Sequence, residues 1–318
     1  MREYEQRVKR HMHFQFNLIG FAFLCLGAIG AAGHFFKDAI WVQYRDVIDI
    51  FAYGFIDNLY QIATKLIQSF VPFFLISLIL KIKNHQIWSK AKIKPLNQFA
   101  LIFLGLAVYL ILSAATSGLI TLATSKNVGV ASVPSSLVSN FLEVQWTYLF
   151  YVILLCPLAE EYIYRGVVLQ CFARYGNRFA IVASSFLFAL SFGRLQTALP
   201  GFFLGMFLAV IALYYQSIRP VLWIRMGVAI LSVAEMLIPL SQVWIFGIIC
   251  LVSYGISLIF LFINRYNRLV LKSDADEMLA AKMFCTSALL VLACGVMIAL
   301  TYSLPLRQWI DQLISKVV

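Results

Sequence analysis

Cys156-Pro157-Leu158-Ala159-Glu160-Glu161-Tyr162-Ile163-Tyr164-Arg165-Gly166 sets two adjacent carboxylates and an arginine at the end of an apolar run of membrane length. An acid near hydrocarbon is costly even on lenient insertion scales, so such a pair is either matched by cations or used in chemistry. On a helix, Glu161 and Arg165 stand four apart with the acid first, the better order for an ion pair. Glu160 points about a third of a turn away, toward the face of Cys156, Tyr164 and Val167, and one arginine cannot serve both acids equally. Glu160 is therefore the candidate for chemistry.

Around this motif the 318 residues are 62% hydrophobic and 12% charged, with a mean hydropathy of +0.87. That composition lies outside soluble globular domains and inside polytopic membrane proteins. The expected fold is an all-α polytopic membrane protein, a bundle of about eight or nine transmembrane helices, since helices of about 20 residues cross the hydrocarbon. The candidate runs are 14–36, 66–82, 98–124, 144–162, 178–193, 198–216, 220–238, 243–264 and 281–303. The first is long, lacks a small-residue cleavage site and reads as a retained helix rather than a signal peptide.

Basic residues cluster at Arg2, Arg7, Lys9 and Arg10, at Lys81 to Lys94, at Arg165, Arg174 and Arg178, and at Arg265, Arg268 and Lys272. The positive-inside rule makes all four clusters, and so the N-terminus, cytoplasmic. A ninth helix would put the C-terminus outside, and an eighth as the last would keep it in. The formal net charge of +11 then reflects topology and attraction to lipid headgroups. No nucleic-acid-binding module accompanies it, so the lipid bilayer, not nucleic acid, is the expected partner.

Cys25, Cys156, Cys171, Cys250, Cys285 and Cys294 form no CxxC pair and read as packing residues, with no disulfide framework or zinc site. For Cys156 the alternative is that it lines the same cavity as Glu160, one turn on. Without His-x-x-x-His or Cys/His clusters, neither a metal nor another cofactor is expected. A serine or cysteine nucleophile needs a positioned base, and no histidine is near Ser184, Ser185, Ser191 or Cys156 in sequence. Those serines are expected to hydrogen-bond between helices. A transport pathway along Glu160, Arg225 and Glu235 lacks the inverted repeat and paired broken helices that usually mark one.

Segment 36–65 reads as an interfacial helix or external hairpin and 127–143 as a second one, each capping the bundle or meeting a partner. At 271–281, Ser273 or Asp274 is the expected cap of a helix. Gly201 and Gly205 form a small-xxx-small pair that allows close helix approach.

Glu-Glu-x-x-x-Arg at the end of a membrane helix resembles the first motif of the CAAX prenyl protease and bacteriocin-processing (CPBP, Abi) family. Ser184 to Phe192 is similar to its second motif, in which histidine follows phenylalanine by four residues. Gly205 and the turn Tyr214 to Pro220 resemble its glycine-containing helix and the connection after it. Val221 to Ala229 takes the place of the third motif, where histidine is followed four later by asparagine or aspartate. The resemblance spans roughly 98–264 and divides the chain into N-terminal helices with an interfacial segment (1–97), a CAAX-protease-like membrane core (98–264), and a C-terminal helix and tail (265–318).

The resemblance implies that Glu160, with Glu161 beside it, is the catalytic position, activating a water while histidines and the asparagine orient it and stabilise the oxyanion. A lone carboxylate in a low-dielectric cavity is a fair base, but the oxyanion needs donors. Here Phe192 and Arg225 stand at the two histidine positions and Ala229 at the asparagine position. His11, His13, His34 and His85, the four histidines of the chain, all precede the motif. Arg225, a cation inside a membrane helix, calls for a partner, and Glu160 is the obvious one, a buried ion pair that would make a poor base. The alternative for Arg225 is snorkelling to the headgroups. Arg165, Phe192, Arg225 and Ala229 are thus structural motif positions. The leading expectation is a catalytically inactive pseudoprotease of a bacterial cell membrane, a scaffold or regulator of another membrane or cell-envelope protein in immunity, signalling or envelope-enzyme control. The alternative is an active glutamate-dependent intramembrane endopeptidase working from Glu160.

Overall fold

In hydrocarbon every backbone N–H and C=O must find its partner within the protein, and a chain of long apolar runs meets that demand by forming helices. The computed structural model describes residues 2–44, 50–82, 95–124, 149–192, 195–237 and 277–299, with isolated positions between them. Among these residues there is no strand. The helices are α1 (Arg2–Tyr44), α2 (Ile50–Ile79) and α3 (Pro95–Thr124). A composite α4 follows, made of Tyr151–Leu155, Cys156–Glu161, Tyr162–Val168 and Leu169–Phe172. Then come α5 (Asn177–Leu190), α6 (Leu195–Tyr215), α7 (Arg219–Leu237), α8 (Glu277–Thr286) and α9 (Ala288–Ala299).

Among the described residues, four helices are long and apolar enough to cross a bilayer, within Gln6–Lys37, Phe55–Ile79, Asn97–Thr116 and Thr197–Tyr215, and α8 with α9 makes a fifth if that bent pair is one span. These coincide with the runs expected at 14–36, 66–82, 98–124, 198–216 and 281–303. The run expected at 178–193 forms the shorter α5, at 14 residues below the length that spans without help. Most of 243–264 and all of 127–143 lie outside the described residues, as do Ser273 and Asp274. Large apolar side chains such as Phe21, Leu75, Leu78, Leu122 and Trp223 are exposed on the helices. Surface of that kind is rare on soluble monomers and is what a bilayer covers, so the protein is a multi-pass helical membrane protein.

In the segment 36–65, where an interfacial helix or external hairpin is expected, the described residues belong to the end of α1 and the start of α2. α1 runs on to Tyr44 and α2 starts at Ile50. The two pack against each other, with Lys37 Nζ 2.8 Å from Asp57 Oδ1 and the Tyr60 hydroxyl donating to the Gly33 carbonyl at 2.8 Å. α5 and α6 pack closely. A Cβ on Gly205 would lie 3.1 Å from Ser185 Cβ and from the Phe188 ring, and one on Gly201 would lie 2.5 Å from the Phe192 ring. The small-xxx-small pair thus brings α6 onto α5, as its spacing led one to expect.

α3 packs on α6 and α7, and α1 on α8. α8 and α9 meet at a 66° bend, where Asn17 Oδ1 of α1 accepts the Leu289 N–H at 3.0 Å and His13 Nδ1 lies 3.2 Å from Ser287 Oγ. The side chain of α1 thereby replaces a backbone bond lost at the bend. At the start of α5, after Gly176 at φ +133°, Glu277 Oε1 accepts the Arg178 N–H at 3.0 Å. Glu277 opens its own helix and caps another.

Candidate functional site

Pro157 shapes the helix that carries the acids. Its ring displaces the carbonyl four residues back and it has no N–H to give, and the turn before it, Tyr151–Leu155, is widened to π geometry, with the Cys156 N–H bonded to the Tyr151 carbonyl. Cys156–Glu161 is α-helical, and Tyr162–Val168 is π again, the Leu169 N–H reaching the Tyr164 carbonyl. The carboxylates therefore sit on one short α-turn between two wide turns, a distortion that recurs at functional sites.

The two acids diverge as the helical spacing requires. Glu161 is fully buried and its Oε1 accepts from Arg165 Nη1 at 2.9 Å, with the arginine 1% exposed. Arg165 spends its remaining reach on the bundle: Nη2 donates to the Gly205 carbonyl of α6 at 3.2 Å, and the guanidinium carbon lies 4.3 Å from the centre of the Phe188 ring. A planar fork with several donors suits this multiple engagement in a way that a lysine would not.

Glu160 faces α7. Its Oε2 accepts from Arg225 Nη2 at 3.0 Å, so the ion pair expected across the bundle is present and Arg225 does not snorkel. This pair is less enclosed than the other, with the side chains 14% and 21% exposed for Arg225 and Glu160. Both arginines lie near Phe188, whose ring centre is 5.9 Å from the Arg225 guanidinium carbon. Beyond their shared bonds, Glu161 Oε2 and Arg225 Nε have no hydrogen-bond partner among the described residues. Lys65 of α2 also lies within electrostatic reach of Glu160.

Cys156 is more than a packing residue. Its thiol donates to Glu160 Oε1 at 3.2 Å, so both oxygens of Glu160 are engaged. The motif positions expected as structural fall around this centre. Phe192 stacks edge-on against Phe188 with ring centres 5.0 Å apart and covers Gly201, and Ala229 is buried one turn after Arg225 on α7. Ser184 and Ser185 correct the expectation for the serines: both donate to the Ile181 carbonyl inside α5, the usual i−3/i−4 satisfaction of a hydroxyl in an apolar helix. Ser191 donates to the Phe188 carbonyl and also meets the Tyr164 side chain of α4, a bond between helices as expected. His11 and His13 meet Gln15 and Ser287. Among the described residues no group of three or more His, Cys, Asp and Glu converges as a metal site would.

Three contributors were not assigned a role by sequence reasoning: Phe188, the Gly205 carbonyl and Lys65. Phe188 stands in the quoted second motif, and Gly205 was visible through its spacing. Lys65 carried no signal, because its place beside Glu160 depends on how α2 packs on α4.

A multi-pass helical bundle with a paired glutamate–arginine centre on a distorted helix is the class of protein that these observations define. Residues 142–231 match the family model described as Type II CAAX prenyl endopeptidase Rce1-like, so that segment is similar to the CAAX prenyl endopeptidases. The segment contains Glu160, Glu161, Arg165, Phe192, Arg225 and Ala229. No curated protein and no solved structure matches the chain.

Proposed function

We propose that the protein is a catalytically inactive member of this family that acts as a scaffold or regulator of another membrane or cell-envelope protein. One observation carries the reading: the 3.0 Å bond from Arg225 to Glu160. A carboxylate that must take a proton from water works best free of a fixed cation, and Glu160 is bonded to Arg225 through one oxygen and to Cys156 through the other, which lowers its basicity. Phe192 and Ala229 offer no donor to an oxyanion, and the arginines at this centre, Arg225 and Arg165, are committed to the acids. In this reading Glu160, Glu161, Arg165 and Arg225 fasten α4 to α6 and α7, and the core of roughly 98–264 presents the surface that a partner reads, flanked by 1–97 and 265–318. In this reading the membrane is that of a bacterial cell, and the basic clusters support an N-terminus on its cytoplasmic side.

A second reading has a specific observation in its favour. The Glu160 side chain is 21% exposed, more than Glu161, so a substrate that displaced Arg225 would meet an available carboxylate and the protein would be an endopeptidase working from Glu160. Co-purification from native membranes separates the two, using the parent chain, Glu160→Gln and Arg225→Ala. The scaffold reading expects the parent and Glu160→Gln to retain the same partner, with no cleaved product. A cleaved product in the parent that disappears in a folded Glu160→Gln protein overturns it in favour of the endopeptidase.

A further inference from the structure

Between α1, α2 and the first turn of α4 lies a cavity of about 220 Å³, lined by Lys37, Tyr60, Thr64, Lys65, Gln68 and Tyr151 among others. Its position is outside the family-matched segment except for Tyr151. Its lining is polar where a helical hairpin in a bilayer would ordinarily be apolar. Gly30 and Gly33 form one wall, and a Cβ at Gly30 would lie 2.7 Å from Gln68 Oε1 while one at Gly33 would run into the Thr64 side chain. Two small residues thus keep open a space that ordinary side chains would close.

The charges of this cavity do not balance. Lys37 is paired with Asp57 at 2.8 Å, and Asp57 Oδ2 also takes a hydrogen bond from Gln61. Lys65, half-buried in the same wall, has no carboxylate within ion-pair distance among the described residues; Glu160, within its electrostatic reach, is paired with Arg225. A lysine at membrane depth without a counter-charge is costly, and what it faces is a donor-rich hollow smaller than the 300 Å³ or so of a typical small-molecule site. The fit is to a compact anionic group, not to a whole drug-sized ligand.

We propose that this cavity binds a phosphate group, with Lys65 as its charge partner and Lys37, Thr64 and Gln68 as flanking donors. An ammonium is an effective point-charge partner for phosphate, and basic pockets between membrane helices take phospholipid headgroups. The same chemistry is offered by the phosphodiester of an anionic lipid and by free inorganic phosphate. Since Lys65 also acts on Glu160, an occupant would neutralise the one cation that this cavity shares with the ion-pair centre.

The experiment is thermal unfolding of the full chain in neutral detergent at constant ionic strength, titrated with short-chain phosphatidylglycerol, inorganic phosphate or short-chain phosphatidylcholine. Saturable stabilisation by phosphatidylglycerol alone assigns a lipid headgroup; stabilisation by inorganic phosphate as well assigns a free phosphate. In either case Lys65→Gln should weaken the apparent affinity by about tenfold, the loss of one charge-assisted bond. Lys65→Arg should retain it and Lys282→Gln, a surface control on α8, should not change it. Gly30→Leu, which fills the cavity without altering charge, should abolish saturation in a protein that remains monodisperse. Equal binding by Lys65→Gln and the parent, equal stabilisation by phosphatidylcholine, or no saturable response to either phosphate form overturns the proposal.

Discussion

The two ion pairs differ in a way that separates holding from acting. Glu161–Arg165 lies within one helix, one turn apart and sealed from solvent, and its arginine is also tied to the Gly205 carbonyl and the Phe188 ring. Glu160–Arg225 joins α4 to α7, is partly accessible, and shares its carboxylate with a thiol. Adjacent residues of the same type thus acquire different fates because a helix turns them about 100° apart. The buried pair is hard to remove without leaving a naked charge. The bridging pair is accessible enough to be exchanged for another partner.

The sharpest way to break this comparison is Arg165→Ala, which leaves Glu161 buried and unpaired. A loss of about 3–5 kcal/mol is expected, read as a large fall in melting temperature or as failure to recover monodisperse protein. An Arg165→Ala protein as stable as the parent would show that Glu161 has no need of its arginine. Arg225→Ala should cost less, about 1.5–3 kcal/mol for one charged hydrogen bond at a partly exposed site, and should leave a folded protein.

The double substitution Glu160→Leu with Arg225→Leu sharpens the contrast further. Replacing both partners of such a pair with apolar residues is often neutral or stabilising, so the expected melting temperature equals or exceeds that of Arg225→Ala alone. A double variant less stable than either single one would mean that the pair is needed for the fold and is not merely compatible with it. The smallest effect expected is from Glu277→Ala, which removes the acceptor at the start of α5 and should cost about 1 kcal/mol, seen as faster hydrogen exchange of the Arg178 amide while that of Gly205 is unchanged.

Much of the fold was legible before any coordinates. Long apolar runs can only be helices in a bilayer, so the all-α membrane architecture and the position of several spans followed from composition and length. The glutamate–arginine motif, the pairing of Glu161 with Arg165 and even the long-range partner of Glu160 could be read from charge economy in a medium that penalises lone charges. Less was legible where geometry departs from the regular helix. That α1 runs on to Tyr44, past the end of its apolar run, was not legible, because sequence shows where polarity rises but not whether the helix stops there. For Cys156 the sequence leaves packing and a place beside Glu160 both open, since a thiol and a methyl look alike in an apolar pattern, and the structure shows its bond to Glu160.

The sequence by itself determined that this chain is a helical membrane protein, which acids are costly within it, and which arginines answer them, because the price of an isolated charge in hydrocarbon leaves few alternatives. Only the tertiary structure decided that Phe188 lies near both arginines, that Gly205 lends its carbonyl, and that Lys65 lines a polar cavity within electrostatic reach of Glu160. Those contacts join helices far apart in sequence, and their geometry is set by packing, which no local pattern records.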